Sequence, residues 1–234
     1  MTAVSENKRP RRRNPRGQGE KLREDLLAAA SAIVTADGSA KGLSLSSVAR
    51  AVGIAPTSVY LHFPDIEELL RALVDRGFAE LSRRRAAAMS GLTDPAAMVL
   101  ARWRAYASFV IDNPGVYRLM FGPELPPTMA FDAPESPGRQ AFLSSVETIT
   151  FAQRAGAVGA TDDPFRLTSL VWAAVHGLVS LRVDRPNFPW PPLEPMIDDT
   201  LRRLLLLRED LPCPGHRLGD LGQQEDHHCQ SSGQ

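Results

Sequence analysis

Between Leu43 and Phe63 the chain reads LSLSSVARAVGIAPTSVYLHF, and a single glycine near its middle limits what that stretch can form. Leu45, Val48, Ala49 and Val52 recur at the i, i+3, i+4, i+7 spacing of a short helix that buries one face. Ser44 precedes the run, where its hydroxyl can accept from a first-turn amide that has no partner inside the helix. Gly53 then allows a sharp turn that a side chain would resist. Pro56 opens a second short helix at its first position, where the missing N–H leaves no bond unmade. Val59 and Phe63 point inward from that helix, while Thr57, Ser58, Tyr60, Leu61 and His62 face outward or sit at its edge. Pro64 biases Phe63 away from helical geometry and closes the unit. Two short helices about a glycine turn, the second with small hydroxyls near its start, form the helix-turn-helix that enters a DNA major groove.

The rest of the chain suits that reading. At 234 residues it is long enough for one large or two small domains. No apolar run approaches the roughly 20 residues of a membrane span. The longest candidate, Leu170 to Leu181, is interrupted by His176 and Ser180. The start is polar and basic without the apolar stretch of a secretion signal, so a cytoplasmic location is expected. Cys213 and Cys229 both lie near the end, outside any periodic segment, and do not resemble a disulfide framework. The formal net charge of zero hides a segregation. Residues 1–90 carry 15 Lys/Arg against 10 Asp/Glu, and the remainder 12 against 17. A basic N-terminal part beside an acidic remainder suits a nucleic-acid module joined to a domain that avoids nucleic acid.

Taken in order, residues 1–19 form a basic arm expected to be disordered when free, with Arg11, Arg12 and Arg13 as candidate DNA contacts. Residues 20–66 form the DNA-binding domain, with the motif at 44–63. Its first helix carries Leu22, Leu26, Ala29, Ala30, Ile33 and Val34 on one face and ends near Gly38. Asp65 can cap a long helix that leaves this domain. Residues 67–209 are read as a helical regulatory and dimerisation domain. Helical spacing recurs over Pro95–Asn113, a short stretch after Pro114, Arg139–Ala155, Pro164–Arg185 and Glu194–Arg208. Pro123 to Gly138 reads as a long connection. The helix at Pro164–Arg185 is apolar nearly all round and should be buried against several partners. Leu204 to Leu207 would cover every side of the last helix. Two late helices too apolar for one thin layer imply a partner surface, and so a homodimer. Residues 210–234 read as a disordered tail. The fold class is all-α, with an N-terminal three-helix domain and a C-terminal helical domain.

The first ninety residues resemble a TetR-family transcriptional regulator. The matching residues are Leu45, Ala49, Gly53, Tyr60, His62, Phe63, Leu69 and Leu70, with the Ala-x-x-x-Gly turn and the Tyr-x-His-Phe ending. This chain departs from the family at two points. Ala55 stands where the family often has a capping Ser, and Asp65-Ile66 where it often has a Lys. The second half resembles the family's helical regulatory domain in the variant marked by Trp172, His176 and Gly177 (W-x-x-x-H-G). The resemblance implies that the last two helices pair with those of a second subunit. It also implies a double-stranded DNA operator and a small-molecule effector.

For DNA, the candidate contacts are Ser44, Arg50, Pro56, Thr57, Ser58, Tyr60 and His62, with Lys41 as a weaker backbone contact. For an effector, Trp103, Tyr106, Phe109, Met120, Phe121, Phe151, Trp172 and His176 could line a cavity, although each also suits a plain core position. No charged cluster is apparent among them, so an apolar or amphipathic small molecule is expected. His216, His227, His228 and Cys229 fit no closed metal motif, and neither a metal nor another cofactor is expected. The chain has no Gly-rich phosphate loop, no Gly-x-Ser-x-Gly elbow and no His-Glu-x-x-His, which argues against an enzyme. Two readings remain: a ligand-responsive DNA-binding regulator, most simply a repressor, or a helical small-molecule-binding or scaffold protein without DNA regulation.

Overall fold

A computed structural model describes residues 18–122 and 135–208. Every regular element among them is a helix: α1 (Gln18–Asp37), α2 (Leu45–Val52), α3 (Pro56–Val59), α4 (Ile66–Met89), α5 (Pro95–Asp112), α6 (Pro114–Phe121), α7 (Pro137–Arg154), α8 (Pro164–Asp184) and α9 (Leu193–Leu205). One antiparallel bridge, Val158 to Leu207, is the only extended pairing among the described residues. The all-α class expected from the sequence is the one found.

Local chemistry sets the helix starts. Proline occupies the first turn of α3, α5, α6, α7 and α8, where an amide would have no intrahelical partner. The residue before it supplies the cap in three of these. The Asp94 carboxylate accepts from the Ala96 and Ala97 amides at 3.1 and 2.9 Å, Ser136 from Arg139 at 3.1 Å, and Asp163 from Arg166 at 2.9 Å. Asp65 caps α4 by accepting from the Glu68 amide at 2.8 Å.

Helices α1, α2 and α3 close over Leu26, Ala30, Val34, Val48, Val59 and Phe63, all completely buried. The long α4 begins against this bundle and continues into the second, where it packs on α5, α6 and α7. Short α6 is wedged between the two parts, and two glycines permit the approach. A Cβ on Gly115 would stand 2.0 Å from the Val34 carbonyl oxygen in α1, and one on Gly77 of α4 would stand 2.6 Å from Met120 Sδ. Arg118 of α6 donates to the Gly38 carbonyl at 2.9 Å, to that of Val183 at 3.2 Å and to Asp184 at 3.2 Å. One guanidinium therefore ties the end of α1 to the end of α8. Arg104 of α5 is paired with Asp198 of α9.

Four expectations need correction or limits. Pro137 and Gly138 belong to α7 and not to a connection, because the Ser136 cap starts the helix there; residues 123–134 lie outside the described residues. The leucine run does not stay helical. Leu206 takes the left-handed conformation at φ 49°, and the chain is captured by Arg208 N–H donating to the Ala157 carbonyl at 2.8 Å. Within the single chain α8 is not buried all round: Leu170 and Leu181 are 45% and 50% exposed, because α5, α7 and α9 cover only its other sides. Finally, α1 starts at Gln18, so the last two residues of the expected arm are helical; residues 1–17 and 209–234, with Arg11, Arg12, Arg13 and the terminal His and Cys residues, lie outside the described residues.

Candidate functional site

The α2–α3 unit is built by its caps. Ser44 Oγ accepts from the Ser47 amide at 3.1 Å while Ser47 Oγ accepts from the Ser44 amide at 3.0 Å, a reciprocal box that satisfies two amides at once. Gly53 sits at φ 75°, the left-handed conformation that ends a helix at little steric cost to glycine. Ala55 starts α3 without any side-chain cap, and α3 is only four residues long. A further turn follows, in which the His62 and Phe63 amides both donate to the Val59 carbonyl at 2.9 Å. Val59 and Phe63 are fully buried, which turns Tyr60 and Leu61 outward at 55% and 78% exposure. Ser44, Arg50, Lys41, Pro56 and Thr57 are exposed, and Ser58 and His62 are half-buried. A Cβ on Gly19 would stand 3.9 Å from His62 Cε1, so the first turn of α1 lies beside the residues that follow α3.

A second candidate site is a small cavity bordered by α4, α5, α6, α7 and α8. It is narrow, with enclosed room for about one water molecule. Phe78, Trp103, Tyr106, Phe121, Phe142 and Trp172 form most of its wall. Of the residues expected to line one, Trp103, Tyr106, Phe121 and Trp172 do so. His176 lies just behind them, 5.3 Å from the Phe121 ring centroid and 5.8 Å from that of Trp172. Met120, Phe109 and Phe151 are placed elsewhere. Met120 fills the gap over Gly77, Phe109 is buried where Arg84 crosses from α4, and Phe151 is core on α7.

His176 is held from both sides. Its Nδ1 is 2.7 Å from the Tyr106 hydroxyl and its Nε2 3.0 Å from that of Tyr117. Burial lowers the His176 pKa from its usual value, which favours the neutral ring, and burial raises that of Tyr106. A neutral imidazole has one donor and one acceptor nitrogen, so the two tyrosines play opposite roles, one donating and one accepting. The bridge spans α5, α6 and α8.

Sequence reasoning missed Arg85 and Arg102. Both are almost wholly buried, at 5% and 4% exposure, and Arg85 lines the cavity. A signal was present: Phe78, Leu81 and Arg85 share one stripe of α4, and Arg102 falls between Val99 and Tyr106 on the buried stripe of α5. A cation in register with core residues is a placed group. Among the described residues no three His, Cys, Asp or Glu side chains gather as a metal set, and no helix is long and apolar enough to cross a membrane.

The likeness to known proteins runs through both halves. Residues 26–73 match the model of the bacterial regulatory proteins of the tetR family, and residues 99–206 that of the tetracyclin repressor-like C-terminal domain. The chain belongs to the TetR family. As a TetR-family protein it is a DNA-binding transcription regulator, with its helix-turn-helix in α2–α3 and a ligand-binding type of C-terminal domain. Solved structures share the fold. A protein of unknown function from Rhodococcus sp. RHA1 is 28% identical, with a TM-score of 0.67 over 79% of this chain and 95% of that one. A putative tetR family regulator from Shewanella sp. PV-4 is 20% identical, with a TM-score of 0.58 over 79% and 96% of the two chains. AibR in complex with isovaleryl coenzyme A and operator DNA is 16% identical, with a TM-score of 0.56 over 80% and 99%.

Proposed function

We propose that this TetR-family regulator is a homodimeric repressor that binds a near-palindromic operator and is released by a small effector held in the α4–α8 cavity. The observation that carries the reading is the position of α6. Phe121 at one end of α6 lines the cavity, while Gly115 at the other packs on Val34 of α1 and Arg118 grips Gly38 just past the end of α1. A ligand that displaces Phe121 pushes on a helix seated directly against the DNA-binding bundle. Only a difference in ligand affinity between the two arrangements can shift the population. AibR, with a related fold, has been captured with both a ligand and operator DNA.

In this reading Thr57, Ser58 and Tyr60 reach base edges or phosphates, His62, Ser44, Arg50 and Pro56 line the backbone, and two α3 helices enter major grooves roughly 34–36 Å apart. Arg11, Arg12 and Arg13 add phosphate or minor-groove contacts; the closeness of Gly19, in the first turn of α1, to His62 supports this. Trp103, Tyr106 and Trp172 contact the effector, with His176 behind them holding Tyr106 in place. Trp172, His176 and Gly177 mark the W-x-x-x-H-G variant of the C-terminal domain, and the chain regulates without catalysing a reaction. The apolar stripe Leu170, Ala173, Gly177 and Leu181 on α8 supports pairing with a second copy; a Cβ on Gly177 would meet nothing within 4 Å.

The test is a gel shift with palindromic duplexes from the gene's own upstream region at low salt. The wild-type chain should retard one of them, and the double variant Thr57→Ala, Tyr60→Ala should not. Removing residues 1–16 should weaken binding and flatten its dependence on salt, while the preferred sequence is kept. Retardation of no duplex would favour the second reading, a ligand-binding helical protein without DNA regulation.

A further inference from the structure

The cavity is unusual in its charge. Arg85 projects from α4 into the space between α5 and α7, its guanidinium carbon 5.8 Å from the Trp103 ring centroid and 5.2 Å from that of Tyr106. Among the described residues its one hydrogen bond goes from Nη1 to the Ala141 carbonyl, at a long 3.3 Å, and its buried Nε has no partner. Arg102 of α5 enters from the other side. It donates to Ser145 Oγ at 3.2 Å, Ser144 Oγ at 3.0 Å and, at 3.5 Å, to the same Ala141 carbonyl. Ser145 Oγ donates to that carbonyl too, at 3.0 Å. Three side chains thus compete for one oxygen. The Trp103 indole Nε1 is also buried without a partner.

Among the described residues donors outnumber acceptors here, and neither cation has an ion-pair partner. The nearest influence of opposite sign on Arg102 is Glu147, an exposed residue of α7 that makes no ion pair with it. Burial lowers both guanidinium pKa values, to about 9 for Arg85 and about 10 for Arg102, so both stay charged at neutral pH. Buried charges are ordinarily paired, and buried donors ordinarily bonded. Arg85, Trp103 and Ser145 all line the cavity, so the missing acceptor belongs inside it.

We propose that the effector is an organic acid whose carboxylate sits against Arg85 Nε and the Trp103 indole N–H, with a compact apolar body between Phe121, Phe142 and Trp172. A planar guanidinium can grip a carboxylate with two parallel N–H bonds, and in a dry site such bonds are strong. The narrow space and aromatic wall exclude a large polar body. The proposal rests on the reading that this cavity holds the effector, and it adds that the effector is an anion. It also supplies a lever: a carboxylate drawing Arg85 toward α5 and α7 acts on α4, a helix that also packs on α1 of the DNA-binding half.

Calorimetry on the full chain without DNA tests the assignment, using benzoate, phenylacetate and hexanoate, each against its own primary amide. The expected result is that at least one acid binds at least about tenfold more tightly than its amide. Arg85→Gln should erase that preference, and Arg85→Lys, which keeps the charge but loses the fork, should retain part of it. Equal binding of acid and amide, binding of none of the acids, or an undiminished preference in folded Arg85→Gln would overturn the proposal. The acid–amide comparison on the wild-type chain stands even if the variants do not fold. Because no DNA is present, failure of operator binding leaves this result untouched. Conversely, an amide that releases operator as well as its acid would sink the carboxylate while sparing the repressor reading.

Discussion

The α carbon of Gly115 faces the main chain of Val34 so closely that a Cβ would lie 2.0 Å from the Val34 carbonyl oxygen. This contact joins α6, whose Phe121 lines the aromatic cavity, to α1 of the DNA-binding bundle. Backbone on one side and backbone on the other leave nothing to swing aside, so the seat of α6 on α1 moves as one piece. At Gly77 the obstructing atom is the far end of Met120, a flexible side chain that can give way.

Gly115→Ala should therefore cost about 1–3 kcal/mol of stability by forcing α6 away from α1. It should also weaken the effect of ligand on DNA affinity while leaving ligand binding itself nearly intact. Gly77→Ala should be milder on both counts. Thermal unfolding together with DNA titrations at two ligand concentrations distinguishes them.

The Tyr106–His176–Tyr117 bridge carries a pH dependence whose sign is fixed by burial. The folded His176 pKa lies below its ordinary value of 6.5, so the unfolded chain binds the extra proton first. The stability contribution is fully present above pH 6.5 and is lost as pH falls from there toward the folded value, by at most about 1.4 kcal/mol per pH unit for one proton. His176→Gln keeps a donor and an acceptor but does not titrate. Denaturant unfolding across this range should show a smaller slope for that variant than for the wild type.

Much of this architecture is legible in the sequence. The helix-turn-helix is readable because each of its parts has a local chemical cause: Ser44 for the cap, Gly53 for the left-handed turn, Pro56 for the second start. The cavity is only half readable. Trp103, Tyr106 and Trp172 stand out as large aromatics in helical register, but nothing local separates a wall residue from core, and Phe109, Met120 and Phe151 have the same signature. Arg85 escapes because it closes a basic run, Arg83 to Arg85, whose first two members are paired with Glu80 near the surface. Only the packing of α5 and α7 on α4 buries the third.

The exposed stripe of α8 predicts assembly. Leu181→Glu, alone or with Leu170→Glu, should convert a dimer to a monomer and lower DNA affinity steeply, since one α3 then reads one half-site alone. Both positions are exposed in the single chain, at 50% and 45%, so the monomer should remain folded. Light scattering with circular dichroism at matched concentrations checks both statements.

The central claim is that the outward face of α3 reads a specific sequence, and selection from a random duplex pool tests it most directly. The wild-type chain should enrich a near-palindrome with two half-sites one helical turn or a multiple of it apart. Thr57→Ala with Tyr60→Ala should enrich nothing, yet fold as the wild type does. Recovery of no common sequence by the wild-type chain, or of the same palindrome by the double variant, would contradict the account.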